Sequence, residues 1–300
     1  MSTSILLYGR SGVGKSTQIG KLAEEEYIKT GKITRVYSGD FGGSDVNAPY
    51  IDLGIIETVE IGSTDPWIFL ANAVRGKVRD DNGKWKLDKE RNHKVGIYAY
   101  ESAHGIAKLL QLNMNEKAGT GSSIGGDTNA SFEVAGDGEK FKIGSVKGYQ
   151  QYAIPQQQIL VGMYESFKLP ADYVIWSAGV DSGNDELGSS KVVGPLVIGS
   201  ALTAVLPKDF NYSFHLDAIN KNGKLNYILY LGLHQDPNAG NATALGNARR
   251  PVDAPEITNQ VIEPADLVRA LKLVREEAKV KAIQKIQARI EAAKKASVTA

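Results

Sequence analysis

Short apolar runs alternate along this chain with longer stretches of helical periodicity. Ile5–Tyr8 is an apolar run that ends at Gly9, the pattern of a strand covered on both faces. In residues 15–30, Ile19, Leu22, Ala23 and Tyr27 share one helical face, Glu24–Glu26 lie largely outside it, and Gly31 stops the helix. Ile33–Tyr37 predicts a second strand, closed by the Gly-rich turn Ser38–Gly43. Residues 45–53 fit a short helix and Thr58–Ile61 a short strand. Asp65-Pro66 starts a helix that runs to about Arg75, with proline at its first position. Val95–Tyr100 predicts an apolar strand ending on Glu101, followed by a helix over Ala103–Leu112. Ile154–Phe167 is helical and Tyr173–Trp176 is a buried strand. Residues 179–191 read as a polar loop and 195–205 as a small apolar stretch. Phe214–Ile219 and Leu225–Leu231 form antiparallel strands joined at Lys221-Asn222-Gly223, and 235–250 is a polar loop. Pro264–Ala296 reads as one long helix with Pro264 in its first turn.

Strands alternating with helices predict an α/β fold, with a mostly parallel central sheet flanked by helices. Two segments interrupt it. Residues 76–91 form a hairpin centred on Asn82-Gly83. Residues 117–148 are a Gly/Ser-rich insertion with a second hairpin in Ser131–Val146. No internal repeat is visible. The expected division is a core over 1–253 and a helical extension over 254–300, with the boundary near Pro255.

Composition narrows this picture only slightly. The chain has 300 residues, a net charge of +1 and no cysteine. Balanced charge gives no overall field for nucleic acid, and the missing cysteines exclude disulfides and thiolate chemistry. His93, His104, His215 and His234 show no metal-ligand spacing. No apolar run reaches membrane-spanning length, so no membrane partner is expected. The opening residues read as a strand rather than a leader peptide, which makes the cytoplasm the expected location.

The strongest chemical signal is Gly9-Arg10-Ser11-Gly12-Val13-Gly14-Lys15-Ser16-Thr17, which meets the pattern Gly-x4-Gly-Lys-Ser between a strand and a helix. Gly12 and Gly14 let the backbone turn its N–H groups inward onto phosphates, beside a helix N-terminus. Lys15 adds a cation for the β- and γ-phosphates, and the Ser16 hydroxyl suits Mg²⁺. ATP with Mg²⁺ is therefore the expected ligand. Acidic residues at strand ends are the candidates for the metal and the attacking water. Glu101 and Asp40 hold those positions, with either able to act as general base. Ser177 ends the strand Tyr173–Trp176, where a hydroxyl can sense the γ-phosphate. Asp181 and Asp185 follow in the adjoining loop. Arg249 and Arg250 follow a polar loop and suit transition-state charge, in the same chain or across a subunit interface.

Taken in order, these residues resemble the RecA-like phage ATP-binding proteins, a group that includes ATPases linked to single-strand annealing. The resemblance spans roughly residues 4–253. It is carried by Leu6-Leu7-Tyr8 through Thr17, by the Asp40 turn with Gly42-Gly43, and by Ile97-Tyr98-Ala99-Tyr100-Glu101-Ser102. Tyr173-Val174-Ile175-Trp176-Ser177-Ala178 looks like the family's sensor strand. Gly194-Pro195 and Gly199 look like its Gly-Pro…Gly helix entry, followed by Leu206-Pro207 and Phe210. Asn247-Ala248-Arg249-Arg250 stands where members carry a Lys-x-Arg type element. The resemblance implies a RecA-like core, ATP and Mg²⁺, and a role in phage DNA recombination, repair or replication, in the host cytoplasm if the chain is phage-encoded; a homo-oligomer is expected as well.

Single-stranded DNA would need cations interleaved with aromatics. Lys84, Trp85 and Lys86 share one hairpin; Lys140, Phe141, Lys142, Lys147 and Tyr149 surround the other. The C-terminal helix carries Lys279, Lys281, Lys285, Arg289, Lys294 and Lys295 beside an apolar stripe from Leu267 to Ile290, which equally suits a partner subunit. Two other functions share the opening motif. One is a small-molecule or nucleoside kinase, which the absence of an arginine near Asp40 disfavours. The other is an ATP-dependent assembly switch with little turnover.

Overall fold

A computed structural model describes residues 2–39, 45–62, 65–80, 82–87, 89–117, 132–136, 139–143, 150–184, 191–197, 202–203, 205–235, 243–244, 246–248 and 261–298. The chain opens with strand β1 (Thr3–Gly9), helix α1 (Lys15–Thr30) and strand β2 (Ile33–Ser38). A 3-10 turn at Asp45–Asn47 leads into α2 (Ala48–Asp52), β3 (Ile56–Glu60) and α3 (Pro66–Ala73). The first expected hairpin is β4 (Lys77–Arg79) with β5 (Trp85–Leu87), closed by the short helix α4 (Lys89–His93). Next come β6 (Val95–Glu101), α5 (Ala103–Lys117) and the second hairpin, β7 (Phe132–Gly136) with β8 (Glu139–Ile143). Helix α6 (Gln150–Ser166), β9 (Tyr173–Asn184), β10 (Lys191–Leu196) and α7 (Leu206–Asp209) follow. The chain then forms β11 (Tyr212–Lys221), β12 (Lys224–Tyr230), β13 (His234–Gln235), β14 (Thr243–Ala244), β15 (Asn247–Ala248) and β16 (Val261–Ile262). It closes with α8 (Leu267–Lys272), a π-helical turn at Leu273–Glu277 and α9 (Ala278–Val298).

The centre of the sheet is parallel in the order β3-β2-β6-β9-β1-β11, and β12 and β16 continue it antiparallel. The α/β class read from the sequence is thus the class observed. A strand side chain alternates between faces, so Ile5 and Leu7 join one core while Leu6 and Tyr8 join the other. The first core lies under α1, α2 and α8, with Leu22, Ile97, Phe214, Leu267 and Leu271. The second lies under α3, α5 and α6 and is aromatic. Tyr37, Tyr100 and Trp176 stack across three adjacent strands, with centroids 5.2 and 4.4 Å apart. Arg35 is buried inside β2, where its guanidinium meets Glu57 at 3.1 Å and Asn92 at 3.0 Å.

Three expectations are corrected. The first part of the polar stretch 179–191 is strand rather than loop: β9 runs on to Asn184, so Asp181 lies in it. It leaves the parallel sheet and pairs antiparallel with β10. Gly194-Pro195 therefore lies within β10 and opens no helix. Pro195 is tolerated there because, among the described residues, β14, the strand beyond, pairs only as far as Val193. Finally, the C-terminal helix starts at Leu267, capped by Asp266, whose carboxylate accepts from the Arg269 amide at 2.9 Å. Pro264 precedes it. The extension is anchored on α1: Gln18 Nε2 donates to the Ala265 carbonyl at 3.0 Å, and the Leu267 amide donates to Gln18 Oε1 at 2.8 Å.

Candidate functional site

Parallel strands end on the same side, so β1, β9, β6 and β2 deliver their C-terminal residues to one rim. The chain leaves β1 at Gly9 and reverses through residues 10–14 into α1. Gly14, the residue before α1, has φ 92°, a conformation that a side chain would strain. Lys15 folds back across the loop, and its Nζ donates to the Gly9 and Arg10 carbonyls at 2.8 Å each.

From β6 comes Glu101, 6 % exposed. Ser16 Oγ donates to Glu101 Oε1 at 2.7 Å, which brings a hydroxyl and a carboxylate to one point beside the loop. Two oxygen donors there match a small hard cation that keeps most of its waters. Ser177, fully buried on β9, pairs in register with Leu7 of β1. Gly39, following β2, donates its amide to the Glu101 carbonyl. Beyond Glu101 the chain enters α5. Ser102 caps it, its hydroxyl accepting the Gly105 amide at 3.1 Å.

These groups surround one cavity of about 860 Å³. Ser11, Gly12, Gly14, Lys15, Ser16 and Thr17 form one wall; Ser38, Gly39, Glu101 and Ser177 form the floor. The N-termini of α1 and α5 both open onto it, and each favours anionic groups through its free amides and dipole.

Most residues expected in the site therefore meet in one place. Gly9 ends β1 outside the cavity lining, and Val13 turns into the core, 5 % exposed. Arg10 is exposed near His215. Asp40, Arg249, Arg250, Asp185 and Gly199 fall outside the described residues. The sequence reading missed His104, Lys108, Leu109 and Leu112, which bring one face of α5 to the cavity, and Val46 opposite them. Their spacing of four residues after an acid-ended strand was the available signal.

On the far side of the loop two of the scattered histidines meet. His215 Nδ1 lies 2.9 Å from His234 Nε2, and His234 Nδ1 lies 3.1 Å from the Gly232 carbonyl. A carbonyl only accepts, so His234 carries its hydrogen on Nδ1, and His215 donates to the bare Nε2. His215 stacks between Tyr8 and His234 at 4.8 and 4.9 Å. Burial first, then His234 and Arg10, lower the His215 pKa to about 3. Among the described residues no cluster of three metal-binding side chains forms, and no helix is long and apolar enough to cross a membrane.

The hairpin aromatic Trp85 is no free platform. It packs edge-on against Phe69 at 5.1 Å, with the Arg79 guanidinium 5.0 Å from its ring, and Lys86 pairs with Asp80 at 2.6 Å. In the C-terminal helix, Leu267, Leu271 and Val274 bury against the chain's own core, while Ile283, Ile286 and Ile290 are exposed.

No family model matches the chain, and no curated protein matches its sequence. Among solved structures, a KaiC-like protein of Pyrococcus horikoshii is 12 % identical with a TM-score of 0.41, covering 81 % of this chain and 88 % of that one. The flagellar accessory protein FlaH of Methanocaldococcus jannaschii is 10 % identical with a TM-score of 0.38, covering 76 % and 77 %. Similarity this loose leaves the functional reading to the chain's own geometry.

Proposed function

We propose that this chain is a Mg²⁺-dependent ATP hydrolase of RecA-like type. The observation that carries the reading is the Ser16–Glu101 contact inside the phosphate-loop cavity. The loop amides, Lys15 and the start of α1 hold the phosphates and offset the charge that develops as the γ-phosphoryl leaves. Ser16 and Glu101 would hold the metal, which when bound neutralises phosphate charge. Ser177 lies on β9, between the loop strand and the Glu101 strand, and supplies a hydroxyl to the cavity floor.

The sequence resemblance extends the proposal to a homo-oligomer acting on single-stranded DNA in phage recombination, repair or replication. The exposed stripe Ile283, Ile286 and Ile290 beside Lys279 and Lys281 supports contact with a partner. The test is phosphate release from ATP, with and without Mg²⁺, in the presence of single-stranded DNA, duplex DNA or neither. Mg²⁺-dependent release of free phosphate, stimulated by single strands, is expected. Transfer to a nucleoside instead of water would overturn the hydrolase reading, and equal rates without DNA would overturn the DNA role.

A further inference from the structure

We infer that His104 is the catalytic residue that accepts the proton of the attacking water, an assignment that rests on the ATP-hydrolase reading. His104 is the second residue of α5, three positions after Glu101, and it lines the cavity with Lys15, Ser16, Glu101 and Ser177. Its Nδ1 is 2.5 Å from the carbonyl oxygen of Val197, a fully buried residue just past β10. The carbonyl has no proton to give, so Nδ1 carries the hydrogen, and in the neutral ring the lone pair then sits on Nε2. An imidazole oriented through one nitrogen and left basic at the other is the arrangement that general-base catalysis uses.

Among the described residues the other lining groups are poorer acceptors, and Asp40, which follows Gly39 in the chain, lies outside them. Glu101 is bonded by the Ser16 hydroxyl and stands where the metal is expected. Lys15 and Lys108 are cations, and Ser11, Thr17, Ser38, Ser102 and Ser177 are hydroxyls. Among the described residues, the charged groups sharing the cavity with His104 are Lys108 on its own helix, Lys15 on α1 and Glu101 on β6. In the step inferred, the water oxygen bonds to the γ-phosphorus while the bond to the β,γ-bridging oxygen breaks. That oxygen leaves with the electron pair as part of ADP. The water proton passes to His104 Nε2 and from there to solvent.

The test compares the full-length parent with His104→Asn, His104→Gln and His104→Ala. The asparagine amide can still donate to the Val197 carbonyl, so that variant keeps the anchor and loses only the basic nitrogen. Binding of a fluorescent ATP analogue is expected to match the parent in all three. Single-turnover hydrolysis is expected to fall by about 10²–10⁴-fold in each, with added imidazole restoring part of the rate in His104→Ala. Parent-like hydrolysis in His104→Asn, or loss of nucleotide binding in step with loss of rate, overturns the assignment alone. A parent that binds ATP and releases no phosphate overturns the hydrolase reading, and this assignment with it.

Discussion

Ser16 Oγ donates to Glu101 Oε1 across 2.7 Å, joining the first turn of α1 to the end of β6. A glutamine at position 101 can still accept that hydrogen bond but carries no charge for a metal. Glu101→Gln should therefore fold and bind nucleotide, with Mg²⁺-dependent phosphate release lowered by roughly 10²–10³-fold. Isothermal titration with a non-hydrolysable ATP analogue, beside a phosphate-release assay, checks both halves. Turnover at the parent rate would show that Glu101 is not the metal-side carboxylate.

Lys15 spans the loop through two carbonyls at 2.8 Å each. Lys15→Ala removes the cation expected at the β- and γ-phosphates. Hydrolysis should fall to background and the nucleotide affinity should drop. A circular-dichroism melt close to the parent's would show that the loss is chemical.

Gly39 packs directly against α5. A Cβ there would lie 2.7 Å from the Ile106 amide nitrogen and 2.7 Å from its side chain. Backbone cannot rotate out of the way, so the helix bearing His104 must shift. Gly39→Ala should cost about 1–3 kcal/mol, as overpacking does, and lower turnover. Urea denaturation gives the first quantity. An unchanged midpoint would mean that α5 moves freely.

The buried His215 sets a pH limit. Its pKa is about 3 in the fold against 6.5 ordinarily, so the unfolded chain takes up a proton that the fold refuses. The stabilising contribution is complete above pH 6.5 and is lost as pH falls toward 3. The slope from this group is about 1.4 kcal/mol per pH unit. His215→Phe should flatten that slope while keeping the stack on Tyr8. Denaturant melts at stepped pH values test it, and an equal slope in both proteins would refute the account.

The parts of the molecule legible in the sequence are those set by local pattern. Ile5–Tyr8 followed by the Gly-Lys-Ser loop names a strand, a turn and a helix at once, and Glu101 stands out because an apolar strand ends on it. The continuation of β9 was hidden because Gly179, Ser182 and Gly183 have little strand preference of their own. Their pairing with Leu196, Val193 and Val192 supplies what propensity lacks. His104 was hidden for a different reason. One histidine on a helix carries no message until the chain brings Val197 behind it, 93 residues later. The His215–His234 contact depends likewise on β12 pairing Tyr230 with His215 in register, four residues before His234.

The Gln18 bridge has a mechanical meaning. It fastens the start of the C-terminal helix to the helix that begins at Lys15 and Ser16, two residues from the metal-side hydroxyl. Beyond the π-helical turn, the 21 residues of α9 extend for about 30 Å. The root of the C-terminal helix is tied to α1 through Gln18. Over that length, a tilt of about 5° at the start of α9 would swing the distal end by about 2.6 Å and the stretch bearing Ile283, Ile286 and Ile290, in the first two thirds of the helix, by roughly 0.7–1.6 Å.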